Sequence, residues 1–98
     1  MKTLPDILRL LDEHKAELWE RFGVSRLALF GSYARGEATP VSDVDILVDL
    51  ERSIGWEVVD LHGYLEAILG VRVDLVTEGA LRRKPTLWET VQEDLIYV

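Results

Sequence analysis

The 98 residues carry 18 Asp and Glu against 11 Lys and Arg, a formal charge of −7 with both histidines neutral; this excess disfavours undirected binding to nucleic acid. A hydrophobic fraction of 48% without low-complexity sequence describes one small folded domain over residues 1–98, although a chain this short buries only about two-thirds of its unfolded surface. The absence of cysteine excludes disulfides, thiolate metal sites and cysteine nucleophiles, while no apolar run approaches the roughly 18 residues of a membrane span and no signal-peptide core precedes the first helical pattern, so a cytoplasmic protein is expected.

Leu4, Ile7, Leu8, Leu11, Leu18, Trp19 and Phe22 recur at three- and four-residue steps, predicting one amphipathic helix. Thr3 with Asp6 resembles a capping box, and Gly23 suits the left-handed position past the helix end. Arg26 to Phe30 is short and apolar, as in a buried strand, and runs into a tight turn at Gly31 and Ser32. Gly36, Thr39, Pro40 and Ser42 mark residues 33–42 as a helical turn and loop. From Asp43 to Leu50 the pattern alternates, with Val44, Ile46, Val48 and Leu50 on one face and Asp43, Asp45 and Leu47 on the other, a second strand. Val58, Leu61, Leu65, Ile68 and Leu69 return to helical spacing, Gly70 stops it, and Val71 to Val76 reads as a third strand. Beyond Pro85, a short helix carries Leu87, Trp88 and Val91, and Leu95 to Val98 pairs at a sheet edge. The expected fold class is α/β (α+β), with helices packed on a small mixed sheet.

Asp43 and Asp45 share a strand face with Cα atoms about 6.6 Å apart. Their repulsion at an effective dielectric of about 20 is on the order of 2–3 kcal/mol, which a cation relieves. Asp74 sits in the third strand with Val73 and Leu75 on the opposite face; if the strands are neighbours, a third carboxylate joins the pair. Three carboxylates without nearby Cys or His suit Mg²⁺ or Mn²⁺ better than zinc. Such a site can hold two ions about 4 Å apart, and points to phosphoryl or nucleotidyl transfer. Isolated Asp-x-Asp pairs also cap loops or face water, so the preceding turn matters. Gly31 lets a ligand approach the backbone, Ser32 offers a hydroxyl, the next amides open towards an anion, and Arg35 adds charge. The plainer roles are a strand breaker, an N-cap and a solvated charge. This is no Walker A loop.

Gly31-Ser32, ten intervening residues and Asp43-x-Asp45 together resemble the signature of the DNA polymerase β-like nucleotidyltransferase superfamily. The fuller text, Gly-Ser-Tyr-Ala-Arg-Gly from Gly31 and Ser-Asp-Val-Asp-Ile-Leu-Val from Ser42, is similar to its smallest branch, the minimal nucleotidyltransferases (MNT). The resemblance covers nearly the whole chain and implies a palm-like nucleotidyltransferase fold. It makes Asp43, Asp45 and Asp74 catalytic ligands of two Mg²⁺ ions, with Mn²⁺ as a substitute. Gly31 and Ser32, helped by Arg35, would hold the β- and γ-phosphates of a nucleoside triphosphate, ATP by preference. It further implies an antitoxin role: transfer of AMP to a tyrosine of a HEPN-domain toxin partner, with no nucleic-acid template and no membrane. A module that neutralises its partner by covering it, or an aminoglycoside-like small-molecule adenylyltransferase, remains open, as does the oligomeric state.

Several residues have plainer readings. Arg82, Arg83 and Lys84 form a basic cluster, read as a solvated loop with an outside reach to the triphosphate. His14 and His62 read as helix-surface residues, since neither has a second ligand at metal-binding spacing. Trp19, Trp56 and Trp88 read as core or partner surface. Tyr33 touches nucleotide or packs beneath the turn, and Ser42 reads as a loop hydrogen-bonder.

Overall fold

Thr3 caps the first helix as its spacing predicts. Its hydroxyl accepts the Asp6 N–H at 3.3 Å, and the Asp6 carboxylate accepts the Thr3 N–H at 3.2 Å. The computed structural model describes residues 2–52 and 55–98; Met1, Ser53 and Ile54 lie outside the described residues. The expected single helix is two, α1 (Leu4–Glu13) and α2 (Lys15–Phe22), meeting at His14. The cause is the His14 ring, which donates from Nδ1 to the Leu10 carbonyl at 2.7 Å, the acceptor that His14's own N–H would use in a continuous helix. That N–H moves to the Leu11 carbonyl at 3.2 Å, and the tightened turn ends α1. Both halves still bury their apolar stripe, Ile7 and Leu11 from one and Leu18 and Phe22 from the other.

Gly23, at φ 71°, turns the chain into β1 (Val24–Phe30). There follow α3 (Gly31–Ala34), β2 (Val44–Leu50), α4 (Glu57–Leu69), β3 (Val73–Thr77), α5 (Glu78–Arg82), α6 (Pro85–Gln92) and β4 (Ile96–Tyr97). The sheet order is β3-β2-β1-β4, with β1 antiparallel to both neighbours and β2 parallel to β3. This is the expected small mixed sheet with helices packed on it. Strands β2 and β3 begin later than the alternation predicts. The Val44 N–H donates to the Arg72 carbonyl at 2.9 Å, so Asp43 stands just ahead of β2, and Val71 and Arg72 ahead of β3. The short helix α5 was not expected: it is too brief to show a period, and it starts because the Thr77 hydroxyl accepts the Ala80 N–H at 3.2 Å.

Register divides the sheet into two unlike faces. Leu27, Leu29, Val44, Ile46, Val48 and Val73 face α1, α2 and α4, and form the larger core with Leu61, Leu65 and Leu69. The opposite face carries a smaller cluster, in which Ala28 and Leu47 meet Leu81 of α5 and Val91 of α6 with Phe30, Val76 and Trp88 alongside. Asp45 and Asp74 lie on this second face, next along their strands from Leu47 and Val76. Among the described residues no helix is long and apolar enough to cross a membrane.

Candidate active site

Parallel pairing sets Asp45 of β2 directly opposite Asp74 of β3, and antiparallel pairing sets Phe30 of β1 opposite Asp45. The turn that follows Phe30 therefore begins beside the acidic pair. Burial pushes the Asp45 carboxyl from its ordinary 3.8 up to about 6, helped by a hydrogen bond with Asp74 and by the charges of Asp74 and Asp43, with Arg35 pulling the other way. Asp43 is engaged elsewhere: its Oδ1 lies 3.1 Å from Arg72 Nε. Among the described residues, no three acidic or imidazole groups already stand in a ligating arrangement.

Gly31 occupies the left-handed region at φ 74°, and a Cβ there would run into the Asp45 carboxylate, 2.8 Å from its Cγ. Backbone thus passes against the carboxylate where no side chain fits. Ser32 follows at the opening of α3; its carbonyl accepts the Glu37 N–H at 2.8 Å, which folds the turn back on itself. The amides of Ser32, Tyr33 and Ala34 are the first-turn donors that a helix leaves unpaired. Tyr33 is buried in the larger core, so it packs beneath the turn. Arg35 ends α3, where its Nη1 donates to Asp94 Oδ2 at 2.9 Å and its Nε to Glu37 Oε2 at 3.4 Å. The structure thus brings together Asp45, Asp74 and Gly31 with Ser32 next in the chain, holds Asp43 at the margin, and ties Arg35 to the loop before β4.

The same sheet face carries a second acidic pair. Glu78 is 4% exposed and receives Arg82 at 2.9 Å and Arg26 at 3.4 Å. Burial alone would raise its carboxyl, but the bonds from Arg82 and Asp49 and the two guanidinium charges hold it below the ordinary glutamate range. Asp49 moves up instead, through burial and then its bond with Glu78. Arg82 keeps an exposed side chain, as expected, but it ends α5 rather than lying in a loop, bonds Glu78 and stacks 5.1 Å over Trp88. Trp19 and Trp56 remain exposed.

Two contacts near the site escaped sequence reasoning. Asp94, which holds Arg35, is 59 residues away in the chain and follows no pattern. His62, read as a helix-surface residue, is bonded with Glu66 to the residue before Asp74; their four-residue spacing on the helix leading to that strand was the available signal.

Residues 11–98 match the family described as the nucleotidyltransferase domain. The protein adenylyltransferase MntA of Thermococcus cleftensis is 50% identical over 99 residues, spanning all of this chain and 98% of its own. A solved structure described as a minimal nucleotidyltransferase superposes with a TM-score of 0.78 at 41% identity, covering 97% of this chain and 95% of that one. A chain from an MntA-HpeT toxin-antitoxin structure shares the fold, with a TM-score of 0.69 at 22% identity over 98% of this chain and 72% of that one. Matched along most of its length, and identical to a full-length relative at half the aligned positions, the chain belongs to the nucleotidyltransferase family, in its minimal branch.

Proposed function

We propose that this nucleotidyltransferase is a divalent-metal-dependent protein adenylyltransferase. It moves AMP from ATP to a tyrosine hydroxyl of a HEPN-type toxin in the cytoplasm, and so acts as the antitoxin. The reading is carried by one observation, the register that sets Asp45 beside Asp74 against the side-chain-free backbone of Gly31. The relative named as a protein adenylyltransferase and the fold shared with a toxin-antitoxin chain support it.

The residues fit a hard cation. Every donor is a carboxylate oxygen, and a carboxyl pushed up to about 6 among acidic neighbours marks a place short of positive charge. Asp43, Asp45 and Asp74 would hold two Mg²⁺ ions, or Mn²⁺ in their place. Asp43 would give up Arg72, an exposed pair of the kind worth about 0–1 kcal/mol. When bound, the metal supplies Lewis acidity and offsets the triphosphate's charge.

The chain's own residues do the rest. The open backbone at Gly31 and the amides that follow take the β- and γ-phosphates, the Ser32 hydroxyl donates to them, and Arg35 adds charge. As the acceptor oxygen bonds to the α-phosphorus and the bond to pyrophosphate breaks, Asp74 takes the hydroxyl proton. The products are the adenylylated hydroxyl and pyrophosphate.

Incubation with α-labelled ATP, Mg²⁺ and the product of the neighbouring gene should label that protein. The label should vanish when Asp43→Asn and Asp45→Asn are combined in a chain that still folds. An absence of transfer to every candidate acceptor with all four nucleoside triphosphates overturns the reading. Equal protection of cells by wild type and the double variant would instead identify a module that works by covering its partner. Increased drug resistance of an expressing host would identify a small-molecule acceptor.

A further inference from the structure

β3 is an edge strand, so half of its backbone groups face away from the sheet. The Arg72 carbonyl accepts the Val44 N–H and thus faces β2. Alternation then turns the N–H and C=O of Val73 outward and those of Asp74 inward. Both outward groups of Val73 are met by α4. Glu66 Oε2 accepts the Val73 N–H at 2.9 Å, and His62 donates from Nε2 to the Val73 carbonyl at 2.7 Å. The two side chains sit one helical turn apart and also approach each other, with His62 Nε2 3.6 Å from Glu66 Oε2. They stand where a further strand would stand, and they meet both peptide groups of the residue preceding Asp74.

From this geometry we infer that His62 and Glu66 are positioning residues for Asp74, a role that rests on the reading of Asp74 as a metal ligand and proton acceptor. The Val73 carbonyl belongs to the same peptide plane as the Asp74 N–H. That plane is held by His62 on its outer side and faces β2 on its inner side, so its rotation is blocked. The direction in which the Asp74 carboxyl leaves the strand follows from it. Glu66 fixes the plane before, which prevents the edge from fraying one residue short of the site. Neither side chain touches the carboxyl itself; each acts through the backbone that carries it.

The test uses the full chain with shape-keeping substitutions. Glu66→Met removes the acceptor, His62→Phe removes the donor, and Glu66→Gln keeps an oxygen for the Val73 N–H. Three readouts are taken: hydrogen exchange at the Val73 amide, Mn²⁺ affinity in the presence of a non-hydrolysable ATP analogue, and kcat against KM for ATP. In Glu66→Met the Val73 amide should exchange at least tenfold faster. In both Glu66→Met and His62→Phe, Mn²⁺ should bind about tenfold more weakly, as loss of outer partners of a metal ligand commonly does. Their kcat should fall while KM for ATP holds, and Glu66→Gln should restore all three readouts. Folded variants that bind Mn²⁺ as tightly as wild type, with Val73 released, overturn the inference. If Glu66→Met fails to fold, His62→Phe decides alone through Mn²⁺ affinity. The reading it rests on is judged separately by wild type: a wild-type chain that binds Mn²⁺ and nucleotide but transfers nothing overturns the enzyme and leaves the comparison of variants standing. A wild-type chain that binds no Mn²⁺ overturns both.

Discussion

Gly31 meets two demands that only glycine meets at once. Its φ of 74° lies where a side chain strains the backbone, and the space a Cβ would fill is taken by the Asp45 carboxylate. Gly31→Ala should therefore cost about 1–3 kcal/mol in urea unfolding and also push Asp45 out of line with Asp74. Gly36 separates the two effects. It has a similar φ of 73°, yet nothing stands within 4 Å of a Cβ built there. Gly36→Ala should show the backbone cost of about 1 kcal/mol while Asp45 keeps its raised carboxyl in a titration followed by NMR. If both substitutions shift Asp45 equally, or neither does, the close approach at Gly31 is not what shapes the pair.

Among the elements, α4 contains a glycine that nothing in the described chain requires. Gly63 lies inside the helix, exposed, with nothing within 4 Å of a built Cβ. Gly63→Ala should raise stability by about 1 kcal/mol, read as a higher urea midpoint with unchanged slope; a lower midpoint would show that the helix is not the continuous one described. At this scale the sequence speaks where a period runs long enough. The 3.6-residue spacing located α4 and its Gly70 stop, and the two-residue alternation placed Asp45 and Asp74 on their strand faces, whereas Asp43, expected inside the strand beside Asp45, stands just ahead of β2 and pairs with Arg72. Which strands would be neighbours was not legible, since parallel pairing of β2 with β3 depends on how α4 crosses between them. The break at His14 was hidden because it comes from one ring taking one carbonyl, which no periodicity records. The grip of Asp94 on Arg35 and of His62 and Glu66 on Val73 were hidden likewise, being side-chain choices made only after the sheet exists.

On the scale of the molecule, one sheet face carries two acidic pairs with opposite fates. Asp49 and Glu78 are compensated by Arg26 and Arg82, which hold Glu78 ionised. Among the described residues, neither Asp45 nor Asp74 is held by such an ion pair. The guanidinium charge that acts on Asp45, that of Arg35, is bonded to Asp94 and only partly offsets the rise. The chain therefore sacrifices stability to keep this corner negative. The sign follows from the raised carboxyl. Between the ordinary value of 3.8 and about 6 the native chain holds a proton that the unfolded chain has released, so Asp45 disfavours the fold increasingly as pH rises through that window and fully above it. In metal-free buffer at pH 7, Asp45→Asn should raise stability by about 1–2 kcal/mol, after allowing for the solvent that still reaches the group. The gain should shrink as pH is lowered through about 6 towards 3.8. Denaturant melts of wild type and variant across that range check it, and a variant less stable than wild type at pH 7 would refute it. Addition of Mg²⁺ with a non-hydrolysable ATP analogue should reverse the order, stabilising wild type and leaving the variant where it was, because only the ionised carboxyl repays the cation for its lost water.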